Sequence, residues 1–193
     1  MATTLTTTEE ISKLRGGTWK IDTAHASAQF VARHLMVTKV RGRFSGITGT
    51  IRIDEEDPLK SSVEALIPTA SVDTGEQTRD GHLRSADFFD SESFPDMRFV
   101  STGVAQAEGN TFVLNGELTI RGTTRPVSLE LELLGVIEDP KFGLRAGFSG
   151  STELDRTDFG LTWNAALEAG GVVVGDRVKV EIEVEAIKDA EGA

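Results

Sequence analysis

Apolar and polar residues alternate along most of the chain, and this is the periodicity of a half-buried β-strand. The clearest run spans 178–186, where five apolar residues alternate with lysine and glutamate. Each run is bounded by residues typical of turns, such as Glu108-Gly109-Asn110 and Asp139-Pro140. The pattern predicts about eight strands, at 18–34, 44–54, 63–67, 99–107, 112–120, 127–133, 144–154 and 178–186.

Strands with one apolar face must bury that face, and the sequence offers almost no amphipathic helix to cover it. The sheet is therefore predicted to be antiparallel and to close into an all-β barrel. A barrel of about eight strands either fills with side chains or holds one small ligand. Small residues at 49, 65, 116, 146 and 150 either leave room inside or let large neighbours interdigitate, so both interpretations stay open.

One segment, 74–99, departs from the alternation. It begins with a polar stretch that predicts a short helix near residues 75–86, and it continues with Phe88, Phe89 and Phe94. We expect it to close part of the barrel and to line its inside. The barrel domain is predicted at 18–188, with a flexible N-terminal arm at 1–17 and a short tail at 189–193.

Composition narrows the possible functions. The chain has 193 residues, enough for one domain with a sizeable core. Its net charge of −11 argues against nucleic acid or an anionic membrane surface as a partner. It has no cysteine, which excludes disulfides and thiolate chemistry. No apolar run is long enough to predict an integral membrane segment, and the N-terminus does not resemble a secretory signal, so a cytoplasmic protein is expected.

The residue pattern points to no catalytic site. Three histidines are present, His25, His34 and His82, without the compact spacing of a metal site, and no metal is expected. There is no nucleophile elbow, and the glycines at 170–175 lack the lysine and spacing of a phosphate loop. No catalytic residue and no cofactor are therefore predicted.

Many short motifs, taken in order from about Thr18 to Ile187, resemble the YceI family of lipocalin-like proteins. The usual His-Ser pair of that family is here His25-Ala26-Ser27, a small departure. The motifs are Asp22 with His25 and Ser27, Phe30, His34-Leu35, Gly42-x-Phe44, Thr74, Arg79-Asp80-x-His82-Leu83, Asp87-Phe88-Phe89-Asp90, Phe94-Pro95, Phe99, Gly116-x-Leu118-Thr119-Ile120-x-Gly122, Pro126-Val127, Arg156-x-Asp158-Phe159-Gly160 and Gly175-Asp176-x-Val178.

The resemblance implies an extended, lipocalin-like antiparallel barrel around a long apolar cavity. Similar proteins bind polyisoprenoid chains, isoprenoid quinones or other long amphiphiles and often form homodimers, and no enzymatic activity follows from the family. The expected function is therefore non-catalytic binding, storage or transport of a long-chain lipid. The lipid would be the only bound group, with no further cofactor.

From this resemblance we predict which side chains line the ligand tunnel and which meet a polar head group. For each of them ordinary core packing is the alternative. The predicted tunnel residues are Phe30, His34, Phe44, Phe88, Phe89, Phe99, Leu118, Ile120, Phe148, Phe159 and Trp163. The predicted head-group residues are Arg79 and His82, with His34 as a further donor.

Two other functions are considered. One is an enzyme acting on a prenyl lipid, with Asp22, His25 and Arg79 as polar groups at one mouth of the barrel. The other is a filled barrel that acts through its surface, for example in a stress response, and it predicts that no lipid co-purifies.

Overall fold

A computed structural model describes residues 7–168 and 170–190. Within these residues the chain forms nine strands and two α-helices. The strands are β1 (Gly17–His34), β2 (Thr38–Phe44), β3 (Thr48–Ile53), β4 (Ser62–Pro68), β5 (Asp96–Glu108), β6 (Thr111–Ile120), β7 (Thr123–Asp139), β8 (Gly143–Asp155) and β9 (Val174–Lys188). The helices are α1 (Thr7–Lys13) and α2 (Gln77–Arg84).

The predicted all-β, lipocalin-like antiparallel barrel is confirmed. Each strand from β3 to β9 pairs with the next in antiparallel register, and β9 pairs back with β1, so that eight strands close the barrel. The predicted helical segment near 75–86 is also present, as α2. Of the helices in the described part of the chain, none is long and apolar enough to cross a membrane.

The strand β1 is long, and along one of its edges it pairs with two different strands in succession. Its first residues, 17–20, pair with β3, whereas residues 28–34 pair with β2. The sequence predicted one strand over 44–54, but β2 ends at Phe44 and β3 begins at Thr48. Gly46 has a φ of +72° between them, a left-handed conformation that glycine adopts without steric cost and that interrupts the strand.

The core consists of one large apolar cluster and a smaller one formed by Phe99, Leu114 and Leu129. The residues described next belong to the large cluster. Trp19 and Leu133 are almost completely buried within it, and Trp19 Nε1 donates to the carbonyl of Arg15. Since β1 begins and β9 ends at the same end of the barrel, we call that the lower end and the opposite one the upper end. The helix α2 lies at the upper end and α1 contacts the lower half.

Part of the predicted arm is ordered against the barrel. Ile11 and Leu14 pack on the core, and Glu10 Oε2 accepts a hydrogen bond of 2.9 Å from the backbone N–H of Val136. This differs from a loosely held arm, because two apolar side chains one helical turn apart find an apolar surface to cover. Residues 1–6 of the arm and 191–193 of the predicted tail lie outside the described residues.

Candidate ligand-binding cavity

Two apolar cavities lie inside the barrel. The upper cavity has a volume of about 160 Å³ and the lower cavity about 190 Å³. They adjoin at mid-barrel, where the same five residues line both: Ala28, Ile67, Leu118, Leu154 and Val180. The two cavities are therefore separated only by aliphatic side chains, which carry no polar group.

Aromatic rings close the upper cavity. Phe88 and Phe89, which follow α2, line it together with Leu83 of the helix itself. Phe89 packs edge-on against Phe44 with ring centroids 5.3 Å apart, and Phe44 lies 5.5 Å from Phe30. Rings in this arrangement make a wall that needs no polar partner.

A polar network fixes α2 in place over this wall. The buried carboxylate of Asp80 accepts hydrogen bonds from both the backbone N–H and the hydroxyl of Thr74, at 2.8 and 2.6 Å. Glu76 caps the helix by accepting from the N–H groups of Thr78 and Arg79. Arg84 donates to two carbonyls of the preceding segment, at Ala70 and Val72.

The lower cavity is closed by α1 and by the short turn that follows β3. Ile11 and Leu14 line it from one side, and Pro58 and Ser61 from the other. The residues before Gly17 are therefore part of the candidate site, which the alternating pattern did not predict. The only earlier signal was the spacing of the two apolar residues Ile11 and Leu14.

The structure places nine of the eleven predicted tunnel residues on the cavity walls. Their contact with a ligand stays a prediction. Those nine are Phe30, Phe44, Phe88, Phe89, Phe99, Leu118, Ile120, Phe148 and Phe159. The other two, His34 and Trp163, line neither cavity, and Trp163 instead packs behind Phe88 with ring centroids 5.4 Å apart.

Neither predicted head-group residue lines a cavity. Arg79 donates to the hydroxyl and the carbonyl of Thr74, at 2.7 and 3.0 Å. His82 Nε2 lies 2.8 Å from the carboxylate of Asp87, and its ring packs edge-on against Trp163. Both side chains therefore support the α2 closure.

One charged side chain does reach the upper cavity. Arg156 is buried and donates five hydrogen bonds, four of them to carbonyls and one of 3.0 Å to Asp176. A guanidinium group has five N–H donors. Because every donor is used internally, Arg156 holds the chain after β8 against β9 and has no donor left for a ligand.

The polar groups of the enzyme hypothesis are not brought together. Asp22 lies beside His25 at 3.0 Å and accepts from Arg145 at 2.9 Å, whereas Arg79 belongs to α2 at the upper end. The hydrogen bond from His25 and then that from Arg145 lower the pKa of Asp22 to about 2. The hydrogen bond with Asp22 in turn raises the pKa of His25 above its usual value.

The same cluster has the composition of a metal site, since ligand atoms of Asp22, His25 and Glu185 lie within 4.8 Å of one another. Arg145 donates to both carboxylates, however, and so already offsets part of their charge. The arrangement is that of a paired surface cluster.

Sequence reasoning missed four of the five junction residues, Ala28, Ile67, Leu154 and Val180. All four lie on the apolar faces of predicted strands, so the alternation could have placed them inward. It could not have shown that they meet at one level, because that depends on strand register.

Comparison with known proteins is consistent with this geometry. A UPF0312 protein of Shewanella denitrificans is 39% identical over 170 residues, covering 87% of this chain and 86% of the relative. Protein YceI of Salmonella newport is 40% identical over 146 residues, covering 75% and 76%.

Solved structures share the fold. The YceI protein of Campylobacter jejuni is 30% identical with a TM-score of 0.69, covering 81% of this chain and 90% of that protein. A polyisoprenoid binding domain from Saccharophagus degradans, 15% identical with a TM-score of 0.67, covers 89% and 98% and shows likeness of fold alone. Residues 19–186 match the YceI-like domain, and the chain therefore belongs to the YceI family.

Proposed function

We propose that this protein binds a long apolar lipid, a polyisoprenoid or an isoprenoid quinone, in the barrel and stores or carries it without chemical change. The observation that carries the proposal is the pair of apolar cavities that meet at a shared aliphatic junction. An isoprenoid chain has no polar groups, and burying it is favourable by roughly 25 cal/mol per Å². The fold shared with a polyisoprenoid binding domain supports the same ligand class.

Each cavity is too small to hold a long lipid by itself. Ligand pockets usually measure about 300–1,000 Å³, and each cavity alone is smaller than that. A long chain must therefore occupy both and displace the side chains of the junction. Aliphatic side chains can be displaced at a modest cost in free energy, because moving them breaks no hydrogen bond.

The test is native mass spectrometry of the freshly purified protein, followed by extraction and identification of bound lipid. We expect a stoichiometric adduct of isoprenoid or quinone mass, or uptake when a long-chain isoprenoid quinone is added. A clean mass with no uptake would refute the proposal and favour a filled barrel. A change in the mass of an added prenyl lipid would instead favour the hypothesis that the protein is an enzyme acting on that lipid.

A substitution at the junction localises the ligand. Leu118 faces inward and lines both cavities, whereas its neighbour Glu117 is exposed on the outer face. We expect Leu118→Arg to abolish loading and Glu117→Arg to leave it intact, with both barrels folded by circular dichroism. Normal loading of a folded Leu118→Arg variant would contradict the tunnel.

We also propose that the protein forms a homodimer, as the family resemblance implies, and that it is located in the cytoplasm. Sedimentation velocity tests the first, and fractionation of cells producing the full-length protein tests the second.

A further inference from the structure

The turn between β1 and β2 exposes three consecutive apolar side chains at the upper end of the barrel. Leu35, Met36 and Val37 are 38%, 49% and 78% exposed, and we call them the apex. The N–H of Leu35 donates to the carbonyl of Val173, which holds the apex beside the loop that precedes β9. In that loop Ala165 and Ala166 are exposed as well.

The backbone of the apex is unfavourable for the residues it carries. Leu35 and Met36 have φ values of +51° and +61°, and Val37 N–H bonds to the carbonyl of His34. Tight hairpin turns with two left-handed residues favour Asn-Gly, because bulky side chains are strained there. Large apolar residues at such positions indicate that their side chains serve a purpose outside the fold, since strain of this kind collects at functional sites.

Basic residues flank the apex on the outer face of the sheet. Arg33 lies opposite Lys39, and Val31 lies between Arg41 on β2 and Lys179 on β9. Opposite residues in an antiparallel pair share one face, so the four basic side chains form one exposed strip, which we call the basic strip. In the part of the chain that the structure describes, none of the four has an ion-pair partner within 4.0 Å.

The surrounding charges leave this strip positive although the whole chain carries −11. Three carboxylates around the strip are paired: Asp73 with Arg43, Glu153 with Arg177 and Asp176 with Arg156. Glu181 lies two residues from Lys179 on the same face of β9 and is exposed, so it offsets part of the charge of the strip. Glu168 is the exposed carboxylate in the loop beside the apex. At 0.1 M salt, charges more than about 10 Å apart are largely screened, so carboxylates on distant parts of the barrel act only weakly on a partner at the upper end.

We propose that the apex and the basic strip together dock the upper end of the barrel on the surface of an anionic lipid bilayer. The apex buries apolar side chains at the level of the headgroups, and the strip binds the anionic headgroups around it. Phe30, Ala32 and Val174, on the strands that adjoin the apex, line the upper cavity, so docking sets that cavity against the bilayer. This proposal differs from the expectation drawn from net charge, because the net charge is an average over the chain and the strip is a local group of opposite sign.

Docking on a bilayer does not depend on the proposed isoprenoid ligand, so it can be measured on vesicles that contain no isoprenoid. The experiment is flotation of the full chain with phosphatidylcholine vesicles, with and without phosphatidylglycerol, at 0.1 and 0.5 M salt. We expect binding to the anionic vesicles at 0.1 M salt, weak binding to the neutral ones, and loss at 0.5 M.

Two variants separate the apex from the basic strip. Leu35→Asn with Met36→Gly removes the apolar apex while installing the residues that the turn prefers, so the hairpin is retained. Arg33→Gln with Lys39→Gln and Arg41→Gln removes three charges of the strip. We expect a loss of at least about tenfold in vesicle affinity for the first and of the order of a hundredfold for the second, at about 1 kcal/mol per basic residue.

Matched controls lie at the lower end. Leu134→Ser with Ile137→Ser removes two apolar side chains that are 53% and 62% exposed, and Lys20→Gln with Arg52→Gln and Lys60→Gln removes three exposed basic residues. Both controls are expected to bind like the wild type.

Three results would overturn the proposal. The first is wild-type binding that does not distinguish anionic from neutral vesicles, or no binding at all. The second is that the apex variant or the strip variant binds vesicles as tightly as the wild type. The third is binding of the strip to a nucleic acid in place of vesicles. A failure of lipid loading in the barrel would leave the vesicle result unchanged, so the two proposals fail separately.

Discussion

At the scale of single residues, the inward-facing glycines show how the interior is packed. A Cβ on Gly116 would lie 2.4 Å from the ring of Phe99, and one on Gly150 would lie 2.7 Å from the side chain of Ile182. These glycines therefore give room to large neighbours, which is one of the two interpretations that the sequence left open.

Gly116→Ala is expected to destabilise the protein by about 1–3 kcal/mol, because the new methyl group forces Phe99 to move within a packed core. Urea unfolding measures the change. Gly103→Ala on the adjacent strand is the control, since nothing lies within 4 Å of its added Cβ. Equal stability of the two variants would show that Phe99 yields without cost.

Asp22 is expected to make stability depend on acidic pH. Its pKa is about 2 in the fold against an ordinary 3.8, so its contribution is present above about pH 4 and is lost as the pH falls toward 2. We expect wild type and Asp22→Asn to differ most in unfolding free energy at pH 5, and the difference to shrink to roughly a third of that by pH 2.5. The exposed Asp158→Asn is the control, and a difference that persists unchanged at pH 2.5 would contradict the assignment.

At the scale of elements, alternation predicted strands well, because each strand has one buried and one exposed face. It did not predict that β1 changes partner from β3 to β2, because pairing depends on residues distant in the sequence. The docking of α1 was missed for the same reason, since it depends on a surface that only the folded barrel provides. The break between β2 and β3, by contrast, has a local cause in the left-handed conformation of Gly46. Within the candidate site the aromatic walls were predicted, whereas the shared junction depends on strand register.

The α2 closure is expected to depend on Asp80. Asp80→Ala removes the acceptor for two hydrogen bonds from Thr74 and leaves a part-buried N–H unpaired, which costs about 1–3 kcal/mol. We expect faster hydrogen exchange across residues 76–89, measured by mass spectrometry, with β6 and β7 unchanged. Asp87→Ala, which removes an exposed partner of His82, is the control and is expected to exchange nearly as the wild type.

At the scale of the whole molecule, the barrel is closed at both ends. Among the described residues, the segment with α2 covers the upper cavity, and α1 with the turn after β3 covers the lower one, so we expect ligand entry to require movement of one closure. The upper closure also adjoins the loop beside the apex, through the packing of Trp163 on Phe88 and His82. Entry at the upper end would thus place the tunnel mouth where the apex meets a bilayer.

Ala28→Leu tests whether the two cavities act as one tunnel. Ala28 is buried and lines both, so the larger side chain narrows the junction without adding a polar group. We expect the variant to lose affinity for a long-chain isoprenoid quinone by about tenfold or more while it retains a short farnesyl lipid, because only the long chain must cross the junction. Ala32→Leu, which lines the upper cavity alone, is the control. Equal losses for the long and the short ligand would mean that the cavities bind separately, and unchanged binding of the long ligand would place it outside the junction.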